Sequence, residues 1–502
     1  MACALADLFD GIACRGIRPE YDQILIDAIA NDSRRVMPGT LFVALRGQKT
    51  DGLLFVPDAV TRGAAAVLAS VPADRARGES VRAVPWIQAD NPRALLAVLA
   101  ERLYGFPART LRLHGVTGTN GKTTTAYMLA AILTRAGRRV GFWTTNSVQG
   151  VRAPFRPHMT TPDAPELQCF LRQAVNRGVE DVVVEVSSHA LELGRITGLT
   201  FHTAAITNIT PDHLDFHGSF AEYVRAKSSL LRYVTAGGGS VLNADDPVVA
   251  DLSRLTADRL LRFGLGEQAD VRGQVLGLDQ NGSHWRWFYH GRLMAEVHLP
   301  VPGSHNILNA LAALAMAMHL GIDPQLASQA LDAFASAPRR LQTRDAGDYT
   351  LITDVAMNPG SYQAVMATVQ GFQRPLVVVN AIRGNRGTTV NRDIADVLAE
   401  WNRRLHFSPV VATLSEQQLA RMAVDYRVRP EESEAFVEQA RAGGLSVDLY
   451  RELPDAIAAA FDRLPRGGIL LLLGTFGMDD GLELAERLIL SQVPASPINR
   501  KL

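Results

Sequence analysis

Cysteine, long apolar runs and excess charge of either sign are all scarce in this chain of 502 residues. Cys3, Cys14 and Cys169 are few, odd in number and far apart. That excludes a disulfide framework and a cysteine-built zinc site, and it fits the reducing cytoplasm. The apolar run Gly468-Ile-Leu-Leu-Leu-Leu-Gly474 falls far short of the roughly eighteen residues a bilayer span requires, and it reads as a buried strand. No membrane partner is expected. Lys plus Arg and Asp plus Glu both total 51, with no block of one sign, which argues against a nucleic-acid partner. The first residues, MACALADLFDGIACRG, lack a basic stretch and are interrupted by Asp7 and Asp10, so no signal peptide is expected. Internal repeats and low-complexity tracts are missing as well.

What is present is enough apolar material, 47% of residues, for several cores. At about 150 residues per domain the length corresponds to roughly three. The most informative stretch is Leu113-His-Gly-Val-Thr-Gly-Thr-Asn-Gly-Lys-Thr-Thr-Thr125. Its glycines, Gly118 and Gly121 among them, let backbone N–H groups approach phosphate oxygens. Lys122 supplies a cation for the β- and γ-phosphates, and the Thr123 hydroxyl suits a magnesium ion at the start of a helix. Thr124 to Ala136 reads as that helix, with Met128, Leu129, Ile132 and Leu133 at helical spacing and Gly137 as its stop. Val116 stands where the generic phosphate-loop pattern has its first glycine, so the loop is of a particular type.

Three segments emerge from the strand and turn signals. The first, residues 1–108, contains the strand-like Thr40–Leu45 and Ala64–Ala69. The second, 109–337, alternates Val140–Thr145, Asp181–Val186, Thr203–Asn208 and Ser240–Asn243 with helices, and ends in a helix-like Asn306–Leu320. Such alternation predicts a mainly parallel sheet covered by helices. The third, 338–502, repeats the logic with Tyr349–Val355, Leu376–Ile382, Pro409–Thr413 and Ile469–Leu473, and reads as a second doubly wound, Rossmann-like domain.

Two strand ends in the second segment carry chemistry. Asp181-Val-Val-Val-Glu-Val186 runs into Ser187-Ser-His-Ala-Leu191, placing Glu185 at the sheet's carboxyl edge. A buried carboxylate there calls for a cation, or for Ser and Arg neighbours that satisfy it. Thr203 to His217 ends in Asp212, His213, Asp215 and His217. A lone histidine is more often a satisfied polar residue than a ligand, but two such ends beside a phosphate loop favour His213 as functional.

Val184-Glu-Val-Ser-Ser-His-Ala190, Asn208-Ile-Thr-Pro-Asp-His-Leu-Asp215 and Tyr223-Val-Arg-Ala-Lys227, with Gly-Thr-Asn-Gly-Lys-Thr-Thr before them, resemble the central-domain motifs of the Mur ligases. The loop alone is also similar to that of folylpolyglutamate synthetases. Within the Mur ligases the nearest type adds the third residue of the peptidoglycan stem peptide to UDP-N-acetylmuramoyl-dipeptide. The resemblance implies an α/β, three-domain architecture with a central phosphate-loop parallel sheet. It implies ATP bound through Gly118, Thr119, Asn120, Gly121, Lys122, Thr123 and Thr124, with Asn306, Asn309, Arg340 and Asp354 as further nucleotide-side residues. Thr123 and Glu185 would hold one Mg2+ and His213 a second. Lys227 matches the lysine that the family carbamylates to help hold metal, so Lys122, His213 and Lys227 are the implied catalytic set. Asn31-Asp-Ser-Arg34, Pro38–Leu45 and Gly47-Gln-Lys-Thr-Asp-Gly52 resemble the uridine-nucleotide pocket, with Ser33 the contact candidate. Thr160, Thr161, Ser188 and Arg195 match positions that hold the sugar-peptide acceptor.

The third segment departs from the pattern. Asp354-Val-Ala-Met-Asn-Pro359 lacks the family's tyrosine and histidine, Asn380-Ala-Ile-Arg-Gly-Asn-Arg-Gly387 replaces a glycine-rich run leading to Asp-Arg, and Thr413-Leu-Ser-Glu416 lacks the Asp-Asn-Pro-Arg of diaminopimelate-adding members. Gly474-Thr-Phe-Gly-Met478 stands where Gly-Lys-Gly-His-Glu is usual, and His305 replaces an aromatic. A changed amine substrate is the expectation. A ligase acting on a carboxylate without UDP, similar to the cyanophycin type, and a nucleotide-binding scaffold that no longer ligates are the alternatives. The oligomeric state is left open.

Overall fold

Short apolar runs bounded by turns form strands here because burial on both faces suits uninterrupted Val, Ile, Leu and Ala. The computed structural model describes residues 2–47, 50–76, 84–152, 159–256, 259–407, 409–422 and 425–492. Gln48 and Lys49, in the stretch that resembles part of the uridine pocket, lie outside them. The chain divides into two units, residues 1–263 with 312–327 and residues 264–311 with 328–502.

In the first unit, four parallel strands run in the order Ala28–Ala30, Thr40–Val43, Ala64–Ala69, Trp86–Gln88. One face packs Leu5, Leu8, Leu96 and Leu99 against them, the other Val56 and Ala59. A second set follows in the order Leu260–Gly264, Val234–Asn243, Phe201–Ile206, Arg112–Thr117, Asp181–Glu185, Val140–Trp143, Val148–Gln149. All of these run parallel except the last, which is antiparallel to its neighbour. Arg112–Thr117 therefore lies between two parallel neighbours, with Val116 in register with Glu185 and Thr117 with Ile206. Three carboxyl ends open at one level, and the phosphate-loop sequence leaves from the middle one. Phe170, Trp143 and Phe201 fill the core beneath.

In the second unit the strand order is Gln342–Ala346, Tyr349–Asp354, Ile469–Leu473, Leu376–Ala381, Val410–Thr413, Val447–Tyr450. Only the first pairing is antiparallel. Ile469–Leu473, the apolar run noted in the sequence, is fully buried at every residue. The same unit holds an antiparallel set, Val271–Asp279, Gly282–Tyr289 and Arg292–Leu299, which the strand signals did not announce. Among the described residues no helix is long and apolar enough to cross a membrane.

The opposite end of the central strands is held by charge. Asp181 is wholly buried and accepts from Arg112 Nε (2.9 Å) and Nη2 (2.8 Å) and Arg138 Nη1 (3.2 Å), with His114 Nε2 at 2.9 Å. Burial opposes the carboxylate's charge, but His114 and Arg112 outweigh it and hold Asp181 below the usual carboxylate range. Burial lowers His114, with Asp181 pulling the other way; its second nitrogen lies 3.0 Å from the Thr203 hydroxyl.

Both folded values are depressed, so both groups take protons more readily when unfolded. The stability they provide is present above their unfolded values, about 6.5 for His and about 3.9 for Asp, and is lost as pH falls. Asp181→Ala should cost about 1–3 kcal/mol at pH 7, because it takes the acceptor from the wholly buried His114 ring, while Arg112 and Arg138 can still reach water. Urea unfolding measures this, and a change within error would show that the network does not support the sheet.

Candidate active site

The turn after Arg112–Thr117 is shaped by two glycines. Gly118 has φ +147° and Gly121 φ +86°, conformations that L side chains rarely adopt. A Cβ on Gly118 would lie 1.9 Å from the Thr207 hydroxyl, so the turn passes directly over the end of Phe201–Ile206. Side chains from that end then fix the loop: the Asn120 N–H donates to Asn208 Oδ1 (2.9 Å), the Asn208 amide returns a bond to the Asn120 carbonyl (3.0 Å), and the Thr119 N–H donates to the Asn208 carbonyl (2.8 Å). The Thr119 hydroxyl donates to the Thr210 carbonyl (3.0 Å) and lies 3.1 Å from the Tyr223 hydroxyl. Lys122–Arg135 follows as a helix, with Thr123 and Thr124 buried in its first turn.

Two lysines converge on this turn. Lys122 Nζ donates to the carbonyls of Gly118 and Thr119, both at 3.0 Å. Lys227, from the helix Phe220–Ser228, donates to the same Gly118 carbonyl at 2.7 Å and lies 4.6 Å from the centre of the Tyr223 ring. It is 2% exposed. Burial, and then the Lys122 charge, push the Lys227 amine well below the ordinary lysine range, while Asp212 and Glu185 pull the other way.

Glu185, also 2% exposed, ends its strand beside the loop. One carboxylate oxygen accepts from the Thr123 hydroxyl (2.9 Å), the Thr145 N–H (2.9 Å) and the Thr145 hydroxyl (3.0 Å). Thr145 was read only as the end of a strand; the strand proper stops at Trp143, and that strand-end position was the available signal. The Thr145 and Thr160 hydroxyls are 3.1 Å apart, and the Thr161 hydroxyl donates to the Glu185 carbonyl at 2.8 Å. His213 adopts a left-handed backbone, φ +53°, and its ring meets His189 edge-on with centroids 4.7 Å apart. Its Nε2 lies 3.8 Å from Asp212 Oδ2. Neighbouring His217 is lowered chiefly by burial.

The acceptor-side positions gather in the same unit. Arg195 donates to the Thr161 carbonyl (3.0 Å) and pairs with Asp163 (2.9 Å), whose other oxygen accepts from Asn31 (2.9 Å). Arg35 pairs with Glu166 at 2.9 Å. These contacts tie the short helical turn Ser33–Arg35 to the helix Ala164–Asn176. Ser33 is buried within that turn, and Ser188 is buried at the start of Ser188–Glu192. Asp163 and Glu166 carry no motif of their own.

The remaining site positions belong to the second unit. Asn306 donates to the Pro302 carbonyl (2.8 Å), and Asn309 donates to Asn306 (3.2 Å). Burial holds His305 down to about 4. Asp354 is buried and raised by that burial, with Arg340 opposing, and accepts from the Leu341 N–H at 2.8 Å.

Comparison with known families decides what this arrangement is. Residues 116–317 match the Mur ligase middle domain, 339–476 the Mur ligase glutamate ligase domain and 25–104 the Mur ligase family catalytic domain. A UDP-N-acetylmuramoyl-L-alanyl-D-glutamate–2,6-diaminopimelate ligase of Bacillus licheniformis is 35% identical over 386 residues, covering 75% of this chain and 77% of its own. The chain belongs to the Mur ligase family. A ligase of the same name from Geobacillus thermodenitrificans is 33% identical over 462 residues, 89% of each chain. Among solved structures, MurF from Acinetobacter baumannii superposes with a TM-score of 0.70 over 98% of this chain and 99% of that one, at 20% identity. The fold is thus the three-domain α/β architecture of Mur ligases, an ATP-dependent, ADP-forming amide-ligase family.

The close approach at Gly118 makes this Mur ligase sensitive there. Gly118→Ala should weaken ADP at least about tenfold, or about 1.4 kcal/mol, because either the loop or Thr207 must move. The test is the ADP-induced rise in Tm, which the variant should lose.

Proposed function

We propose that this Mur ligase activates the terminal carboxylate of UDP-N-acetylmuramoyl-dipeptide with ATP and joins an amino acid to it, in the cytoplasm, as a step of peptidoglycan precursor synthesis. The observation that carries the reading is the pair Lys122 and Lys227 on one loop carbonyl beside the buried Glu185, in a chain whose relatives bear the ligase names given above. The proposed domains are 1–108 for the uridine nucleotide, 109–337 for ATP and 338–502 for the amine.

In the proposed reaction a carboxylate oxygen of the acceptor attacks the γ-phosphorus, the bond to the β-phosphate bridging oxygen breaks, and ADP leaves. The loop amides of Gly118 to Thr124 hold the phosphate chain, and Lys122 turns from its carbonyl partners to the β- and γ-phosphates. Such fixed charge stabilises the transferring group with little reorganisation. The amine nitrogen then attacks the acyl carbon, phosphate departs, and the nitrogen sheds a proton. Positioning rather than a side-chain nucleophile is what both steps need.

The donor set fits magnesium. Thr123 already meets Glu185 at 2.9 Å, and hydroxyl and carboxylate oxygens are the hard donors this cation takes. Among the described residues no group of three or more His, Cys, Asp or Glu is arranged for a metal, so phosphate oxygens and water would complete the coordination. Thr123, Glu185, His213 and a carbamylated Lys227 are the proposed holders; when bound, Mg2+ neutralises phosphate charge. The lowered Lys227 amine supports carbamylation, because CO2 combines with the neutral form. Ser33, Thr160, Thr161, Ser188 and Arg195 are proposed for the acceptor. Asn306, Asn309, Arg340 and Asp354 are assigned to the nucleotide by motif.

The amine is open to a departure from 2,6-diaminopimelate. In the rewritten stretches, Ser415 donates to the Gly477 carbonyl (2.6 Å), Gln418 to the Phe476 carbonyl (2.7 Å), and Tyr426 stacks on Phe476 with centroids 4.2 Å apart.

Incubation with ATP, Mg2+, UDP-N-acetylmuramoyl-dipeptide and pooled amino acids, read by mass spectrometry, should yield ADP and one amide product. Lys122→Ala should lower that turnover by about 10²- to 10³-fold or more. ADP release that ignores the acceptor, or a variant as fast as the parent, would overturn the assignment.

A further inference from the structure

The loop Ile382–Gly387 leaves the carboxyl end of the strand Leu376–Ala381 and enters the helix Thr388–Leu405. In a doubly wound domain this is the edge where ligands bind, and successive N–H groups at a helix start form an anion-binding nest. Here the nest is already filled from within. The N–H groups of Asn385 (3.2 Å), Arg386 (2.9 Å) and Gly387 (2.8 Å) all donate to the carboxylate of Glu432, which also accepts from the Arg429 N–H at 2.9 Å. Glu432 is 1% exposed, in the first turn of Pro430–Ala442.

The loop's shape depends on that anion. Asn385 and Gly387 both have positive φ, +59° and +78°, and the arrangement points three N–H dipoles at one spot. Without negative charge there, the three dipoles repel one another and the N–H groups lose the acceptor they share. The surroundings are tight on the other side: a Cβ on Gly384 would come within 2.2 Å of the Tyr426 carbonyl, and the Asn385 amide donates to the Asp425 carbonyl at 3.0 Å. Asn391, also buried, brackets the loop by accepting from the Arg383 N–H (3.3 Å) and donating to the Arg383 carbonyl (2.9 Å). Arg383 in turn reaches the Met357 carbonyl, three residues beyond the strand Tyr349–Asp354, which lies two places away in the sheet.

We infer that Glu432 is a positioning residue for the amine step, an internal anion that takes the place a phosphate would have in this nest and sets the loop carrying Arg383. The inference rests on the ligase reading above. It implies that this turn of the third domain binds no phosphate, and that its side chains face the amine.

The test separates the two half-reactions in the full chain. Hydroxylamine traps the acyl phosphate as a hydroxamate and is too small to need an amine pocket. With ATP, Mg2+ and UDP-N-acetylmuramoyl-dipeptide, Glu432→Ala should form hydroxamate at the parental rate. With a mixture of 2,6-diaminopimelate and the standard amino acids it should ligate at least about a hundredfold more slowly, the cost of a misplaced loop. Sodium formate should restore part of that loss by refilling the nest, and Glu432→Gln should show the same selective defect without needing the cavity. Equal losses in both assays, or no loss in ligation, would overturn the inference. In the parent without ligands, the amides of residues 385–387 should be strongly protected from hydrogen exchange, and rapid exchange would overturn it even if neither variant folds. A parent that makes no hydroxamate would instead defeat the ligase reading, and the exchange result would still report on Glu432.

Discussion

Lys122 and Lys227 both donate to the carbonyl oxygen of Gly118, and the rest of the central site is arranged around that shared contact. Burial, and then the Lys122 charge, lower the Lys227 amine while Asp212 and Glu185 oppose, and the loop itself offers the two lysines only carbonyl oxygens, a deficit of negative charge. A polyphosphate answers that deficit. The neighbours keep the geometry from relaxing: Tyr223 fixes Thr119 and underlies Lys227, Asn208 pins Asn120, and Thr207 lies against Gly118. Burial makes each of these bonds expensive to break, and this holds the lysines together when no ligand offsets their repulsion.

What could be read from the chain alone follows from how local each signal is. The phosphate loop, Glu185 and His213 stand at the ends of apolar runs whose neighbours in sequence announce a strand, so their place at one sheet edge could be inferred. Ile469–Leu473 was legible for the same reason. Thr145 was not, because a single threonine past a strand carries no pattern, yet it supplies two of the three donors to one Glu185 oxygen. The pairs Arg35–Glu166 and Asn31–Asp163 join parts of the chain more than a hundred residues apart; only folding brings them together. The strands between Val271 and Leu299 were missed because they alternate exposed and buried residues weakly, although Asn281-Gly282 and His290-Gly291 mark the turns between them. Likewise Asp181 read as the start of a buried strand, while the three side chains that bond to it, Arg112, His114 and Arg138, carry no pattern that announces the network.

The third domain separates two kinds of sequence information. Its strands keep their apolar runs and therefore their sheet, whereas several stretches that follow them, such as Thr413-Leu-Ser-Glu416 and Gly474-Thr-Phe-Gly-Met478, differ from the family motifs they resemble in position. Fold is secured by many interchangeable side chains, and recognition by a few that are not. The same loops are nonetheless well braced, by Glu432 and Asn391 on one turn and by Ser415 and Gln418 on the next. They have the hydrogen-bonding of a built surface rather than that of a decaying one.

The strand Ile469–Leu473 has a consequence for how the protein is made. It sits between Tyr349–Asp354 and Leu376–Ala381, both of which leave the ribosome long before it does. Until it arrives, those two strands have an open slot between them, and each presents an unpaired edge lined with Val, Leu and Ile. The sheet therefore cannot close co-translationally in chain order. Its last step is the insertion of a central strand, a non-local pairing of the slow, aggregation-exposed kind. A ribosome stalled or a message cut before codon 469 would release a chain with a finished phosphate-loop domain and a sticky, half-built third one, a species that chaperones and proteases are suited to recognise.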